Sequence, residues 1–130
     1  MRADAVDVHF IAVNYFGAGS CPALLESLRA QQGGRWRLTV VDNSESDVEH
    51  RRLNEITRHV EAVRVLRAPR NLGYFGAAHW LLTAEGGPTA TWTVVSNMDV
   101  RFADTNFVRG LADLDGVAEV VAPSIVDQPE

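Results

Sequence analysis

Apolar runs and amphipathic stretches alternate along the whole chain. Val8–Asn14 (VHFIAVN) is β-branched and aromatic, the pattern of a buried strand. Phe16–Ser20 carries two glycines and predicts a loop. Leu24, Leu25 and Leu28 stand at helical spacing within Pro22–Gln32, with Pro22 suited to a first helical turn and Gly33–Gly34 to a stop. Arg37–Val41 predicts a second strand ending at Asp42. Asp47 is placed to cap a second helix running to about His59. Ala62–Leu66 is a third strand, Gly76–Thr83 a third helix, and Thr91–Ser96 a fourth strand. Asp104 is placed to cap a fourth helix over Thr105–Leu114, and Ala118–Ala122 predicts a fifth strand.

This βαβαβαβαβ order predicts an α/β fold with a mainly parallel sheet and helices on both faces. Right-handed crossovers narrow it to a Rossmann-like half-sheet. Ligands in such sheets bind beyond the carboxyl ends of the strands, where strand order reverses. The loops after strands one, two and four are therefore the places to search.

A length of 130 residues predicts a single domain, spanning 1–130. Its apolar share of 46% and charged share of 22% suit a globular chain and argue against disorder. No apolar run approaches the roughly 20 residues of a membrane helix. The net charge of -5 argues against nucleic acid as the main partner. All 12 basic residues are arginine, so chemistries built on a lysine are excluded: no P-loop lysine and no Schiff base. The one cysteine, Cys21, excludes an internal disulfide and a cysteine zinc site. Met1–Phe10 lacks the apolar core of a signal peptide, which makes the cytoplasm the expected compartment.

Four strand-end loops hold residues with chemistry. They are Asn14–Tyr15–Phe16, Asp42–Asn43–Ser44, Arg70–Gly76 (RNLGYFG) and Asn97–Met98–Asp99–Val100. Each has an ordinary reading as turn formers or caps. A carboxylate at Asp42 can accept from an N–H or a hydroxyl. Tyr15 or Phe16 can stack on a base. Asp99 and Asn97, at i, i+2, carry side-chain oxygens, and Arg70 and Arg101 carry fixed positive charge.

Taken in order, these segments resemble family 2 glycosyltransferases. Val40–Ser44 (VVDNS) looks like that family's V-V-D-N-x-S segment. Asn71–Gly76 looks like its N-x-G-x-x-G loop, and Asn97–Val100 like the N-P-D-V variant of its Asp-x-Asp motif. The resemblance spans roughly residues 8 to 127 and is greatest to rhamnosyltransferase-like members. Met98 departs from the common Pro, Asn97 from the first Asp, and Ala77–Ala78–His79 from a glycine-rich run.

The resemblance implies a GT-A fold and a nucleoside-diphosphate sugar donor, UDP- or dTDP-linked. It implies a saccharide or lipid-linked acceptor, transfer with inversion, and a role in bacterial cell-surface polysaccharide synthesis. The donor would be bound by Asn14, Tyr15, Asp42, Asn43, Ser44, Asn71, Gly73, Tyr74, Gly76, Asn97 and Asp99. Asp99 would hold Mg²⁺ or Mn²⁺ across the diphosphate. The general base and acceptor site would lie in a second half. No base is assigned here, since Asp127 and Glu130 carry no motif. The chain then reads as the donor-binding part of a larger enzyme or a truncated relative. Its setting would be cytoplasmic or peripheral to the inner membrane face, with homodimerisation open.

Two other readings compete. A non-catalytic nucleotide-sugar-binding or interaction module keeps the fold without the chemistry. A dinucleotide-binding Rossmann domain is suggested by Gly17–Pro22 (GAGSCP), with Asp42 at about the distance of a ribose-binding acid.

Overall fold

The computed structural model describes residues 6–114 and Gly116. Four parallel strands form one sheet in the order β3-β2-β1-β4. They are β1 (Val8–Asn14), β2 (Trp36–Asp42), β3 (Val63–Arg67) and β4 (Trp92–Asn97). Helices α1 (Cys21–Arg29), α2 (Asp47–Thr57) and α3 (Tyr74–Ala84) make the crossovers, and α4 (Phe107–Asp113) follows β4. The fold is thus the Rossmann-like α/β class expected from the alternation of strand and helix patterns.

Central β1 is buried along its whole length, which its unbroken VHFIAVN run requires. The pleat sends alternate residues to opposite faces. Val8, Phe10 and Ala12 join Leu24, Leu28, Leu53 and Val108 in a core under α1, α2 and α4. Phe10 packs edge-on against Phe102, with ring centroids 4.8 Å apart. Ile11 and Val13 face the other way, against Ala77, Ala78 and Leu81 of α3. Ala77 and Ala78, noted above as replacing glycines, are buried where small side chains let α3 lie close to the sheet.

Several boundaries differ from expectation for local reasons. Ser46, not Asp47, is the cap of α2, and its side chain accepts from the Glu49 N–H. Asp47 instead pairs with Arg67. Asp104 does not cap α4: its carboxylate accepts from the Asn106 N–H in a turn, and the helix begins at Phe107. Helix α3 begins at Tyr74, so Tyr74 and Gly76 belong to its first turn rather than to the preceding loop. The fifth strand foreseen at Ala118–Ala122 lies outside the described residues, as do Asp127 and Glu130.

The polar residues on the α3 face of the sheet form a separate network away from the carboxyl edge. His9 Nε2 meets Thr39 Oγ1 at 2.9 Å, and Arg64 Nε donates to the same hydroxyl. Arg37 lies against His9 Nδ1, 3.4 Å away, so the proton sits on Nε2. Burial, then the charge of Arg37, lowers the His9 pKa to about 4. The imidazole is therefore neutral near pH 7.

Candidate functional site

Strand register assembles the carboxyl edge. Asn14 at the end of β1 pairs with Asp42 at the end of β2, and Val13 pairs with Asn97 at the end of β4. The crossover direction reverses between β1 and β4, which makes their gap the switch point of the sheet.

Asn14 is buried and is the hub of the site. Its two Nδ2 hydrogens serve Glu49 Oε2 at 2.9 Å and Asp42 Oδ1 at 3.1 Å, with Ser44 Oγ at 3.3 Å as a shared third acceptor. Its Oδ1 accepts from the Gly17 N–H at 3.0 Å. Asp42 is 1% exposed. Its Oδ1 also takes the Ser44 N–H, and its Oδ2 lies 3.3 Å from His50 Nδ1. The carboxylate is thus held by protein donors, as a buried acid must be.

The loop after β1 is unusually constrained. Phe16 adopts φ 53, a left-handed conformation rare for a bulky residue. Three consecutive N–H groups are each taken by a side chain: Phe16 by Ser44 Oγ at 2.8 Å, Gly17 by Asn14 Oδ1, and Ala18 by Glu49 Oε2 at 3.0 Å. The consequence is that Tyr15 and Phe16 stand outward, 63% and 56% exposed, in edge-to-face contact. Gly17 fits closely, because a Cβ there would lie 3.1 Å from Asn14 Oδ1 and 3.3 Å from Met98 Cβ and would press both by a few tenths of an ångström. Met98 is buried and brings the β4 turn against the β1 loop.

The loop after β3 is stapled to the end of β2. Asn43 Nδ2 donates to the Gly73 carbonyl at 2.9 Å, and the Leu72 N–H donates to Asn43 Oδ1. Asn71 Oδ1 accepts from the Gly73 N–H. Gly73 has φ 74 and ψ -178, a conformation essentially confined to glycine. An open groove of about 580 Å³ lies alongside, lined by Arg70, Leu72, Gly76, His79, Trp80 and Thr83.

Sequence reasoning therefore selected two kinds of residue. Asn14, Asp42, Asn43 and Ser44 are buried and build the site from beneath. Tyr15, Asn71, Gly73, Asn97 and Asp99 are exposed at its mouth, with Tyr74 and Gly76 half-buried. Arg70 and Arg101 are exposed. Glu49 and His50 were missed. The Ser46-x-x-Glu49 spacing of a capping box was visible, but its meaning is local, and the partners of Glu49 lie more than thirty residues away. Cys21 begins α1 fully buried, and burial pushes its thiol up to about 11. It has the character of core filler, not of a nucleophile.

Among the described residues, no group of three or more His, Cys, Asp or Glu is placed to hold a metal. Asp99 is exposed at the β4 turn, and among the described residues nothing bonds to its carboxylate. One free carboxylate suits a cation that arrives with a diphosphate and keeps phosphate and water oxygens as its other ligands. It does not suit a resident structural metal.

No family model and no curated protein matches this chain. Solved structures do. A mannosyltransferase from Pyrobaculum calidifontis, PcManGT, in complex with GDP-Man and Mn²⁺, superposes with a TM-score of 0.70 at 16% identity over 86% of this chain. TarS 1–349 from S. aureus in complex with UDP gives 0.64 at 18% identity over 85%, and TarS 1–349 alone gives 0.63 at 17% over 91%. This chain covers 33%, 32% and 38% of those chains, about a third of each. The fold is therefore one found in a sugar-transferring enzyme.

Proposed function

We propose that this chain is the donor-binding part of a family 2-like, GT-A glycosyltransferase that takes a UDP- or dTDP-sugar. The observation that carries the reading is the construction of the carboxyl edge. A rigid polar platform of Asn14, Asp42, Asn43 and Ser44 holds two loops, which present Tyr15, Phe16 and Gly73 on either side of it. Across the switch point stands the exposed carboxylate of Asp99, unpaired among the described residues. An aromatic wall, a rigid backbone turn and a hard anionic ligand are what a base, a ribose and a metal-bridged diphosphate ask for. The likeness to a structure holding GDP-Man and Mn²⁺, and to one holding UDP, supports the same reading.

In this reading Tyr15 and Phe16 stack on the base, and the Asn71–Gly73 loop lies along the nucleoside. A base N–H that reached Asp42 Oδ2 would have to displace the His50 contact, so Asp42 acts first as the anchor of the platform. Asp99, with Asn97, holds Mg²⁺ or Mn²⁺ on the diphosphate. That ion would neutralise charge on the nucleoside diphosphate as it leaves. The acceptor, saccharide or lipid-linked, and the base that would deprotonate it are placed on no described residue.

The dinucleotide reading is disfavoured by one feature. The N–H groups of Phe16, Gly17 and Ala18, which a pyrophosphate would need at the strand-to-helix turn, all bond side chains of the protein.

Calorimetry of the chain with UDP, dTDP, GDP and NAD, each with and without Mn²⁺, tests the proposal. Binding of UDP or dTDP strengthened by Mn²⁺ supports it. Binding of NAD indifferent to metal, or of none of the four, overturns it.

A further inference from the structure

The geometry points to Glu49 as a positioning residue that holds the aromatic loop after β1 in its nucleotide-binding form. This inference rests on the nucleotide-site reading above.

Glu49 stands in the first turn of α2, after the cap Ser46. A glutamate there ordinarily turns back to the N–H of the cap residue. This one does not. It is 6% exposed, and its Oε2 bonds Asn14 Nδ2 at 2.9 Å and the Ala18 N–H at 3.0 Å. One oxygen from α2 therefore grips both ends of the Tyr15–Gly17 segment. Ser44 and Asn14 hold the two N–H groups between.

The segment needs such a grip. Phe16 at φ 53 is in a conformation that a free loop would leave, since left-handed backbone is disfavoured for residues with a Cβ. Strained backbone persists only where its surroundings over-determine it, and it concentrates at ligand sites. Here the surroundings are three side-chain acceptors, and the outcome is two aromatic rings held in solvent. Burying a carboxylate is costly, and two exposed rings that pack on each other leave most of their surface in water. Both make sense if the fixed orientation of Tyr15 and Phe16 is what is gained. Glu49 touches no ligand in this scheme; it acts through the loop.

The experiment compares the chain with its Glu49→Ala, Glu49→Asp and Glu49→Gln variants, and with Leu53→Ala as a control on the same helix. Leu53 is buried in the core under α2, in the same apolar cluster as Ala18, and takes no part in the three loop hydrogen bonds. UDP and GDP with Mn²⁺ are the probes, titrated well below each variant's melting temperature. Hydrogen exchange is followed at Phe16, Gly17 and Ala18. Glu49→Gln keeps an acceptor oxygen and should bind within threefold of the parent. Glu49→Ala, and Glu49→Asp with its retracted carboxylate, should bind at least tenfold more weakly, with faster exchange at those three amides and unchanged exchange in β2. Leu53→Ala should bind as the parent does. Binding by Glu49→Ala within twofold of the parent overturns the inference, as does equal weakening in Leu53→Ala. If the parent binds neither probe, the nucleotide reading fails. Unchanged exchange at the three amides in Glu49→Ala would overturn the positioning role separately.

Discussion

The side-chain amide of Asn43 donates a 2.9 Å hydrogen bond to the carbonyl of Gly73, thirty residues further along the chain. With the Leu72 N–H returning to Asn43 Oδ1, the side chain behaves as a short extra piece of strand on which the next loop is laid.

Gly73 cannot be given a side chain cheaply. Nothing crowds its Cβ position, so the cost is backbone strain at φ 74, ψ -178, of about 1–3 kcal/mol. Gly73→Ala should lower the urea midpoint accordingly and weaken Mn²⁺-assisted UDP binding. An unchanged midpoint would contradict the strain argument.

Asn14→Ala should be among the most damaging substitutions in the chain. It removes the donor shared by Asp42 and Glu49 and strips the acceptor from the Gly17 N–H, leaving buried polar groups unmatched. A loss of about 2–4 kcal/mol is expected in chemical denaturation. A loss under half a kcal/mol, on the scale of an ordinary surface change, would mean the hub is not as drawn.

Asp99→Ala should leave stability nearly unchanged, because the side chain is exposed. It should abolish the gain in UDP affinity that Mn²⁺ brings. Persistence of that gain in calorimetry would place the cation elsewhere.

Acid should destabilise the fold through His9. Its pKa is about 4 when folded against an ordinary 6.5, so between these values the unfolded chain binds a proton that the native chain refuses. The contribution is fully present above pH 6.5 and is lost as pH falls towards 4, by about 3 kcal/mol in all. His9→Gln should flatten this part of the stability–pH profile. The difference between the two profiles isolates the residue from other titrating groups.

Cys21 should resist thiol reagents in the native state, since it is buried and its thiol is held near 11. Labelling by a disulfide reagent at pH 8 should proceed only at the rate of opening and become immediate in denaturant. Rapid native labelling would show α1 to be loosely docked.

Much of this architecture was legible in the sequence, because buried parallel strands write themselves as runs such as VHFIAVN and LTVVD. Strand ends fixed which loops mattered, and the Asn, Asp and Gly residues there drew attention for good chemical reasons. What could not be read was which of them face inward. Asn14 and Asp42 look like ligand contacts on paper; only the register that sets them side by side turns them into each other's partners. Glu49 stayed hidden for the same reason. Its local context offered a sufficient helix-cap explanation, and its actual partners are set by tertiary packing. The cap expected at Asp47 falls instead to the side chain of its neighbour Ser46, and the carboxylate of Asp104 is used in a turn, accepting from the Asn106 N–H ahead of α4.

The placing of β1 between β2 and β4 also orders the making of the site in time. Val8 is matched to Trp36 after 28 residues and to Trp92 after 84. On loop length alone the later pairing costs about 1 kcal/mol more in closure entropy. Every acceptor that grips the Phe16–Ala18 turn lies at or before Glu49. The aromatic wall can therefore take shape while β4 is still on its way, and the Asp99 turn joins a surface that is already in place. In a chain emerging from a ribosome, every acceptor of the half proposed for the base is present before the residues of the half proposed for the phosphates have been added.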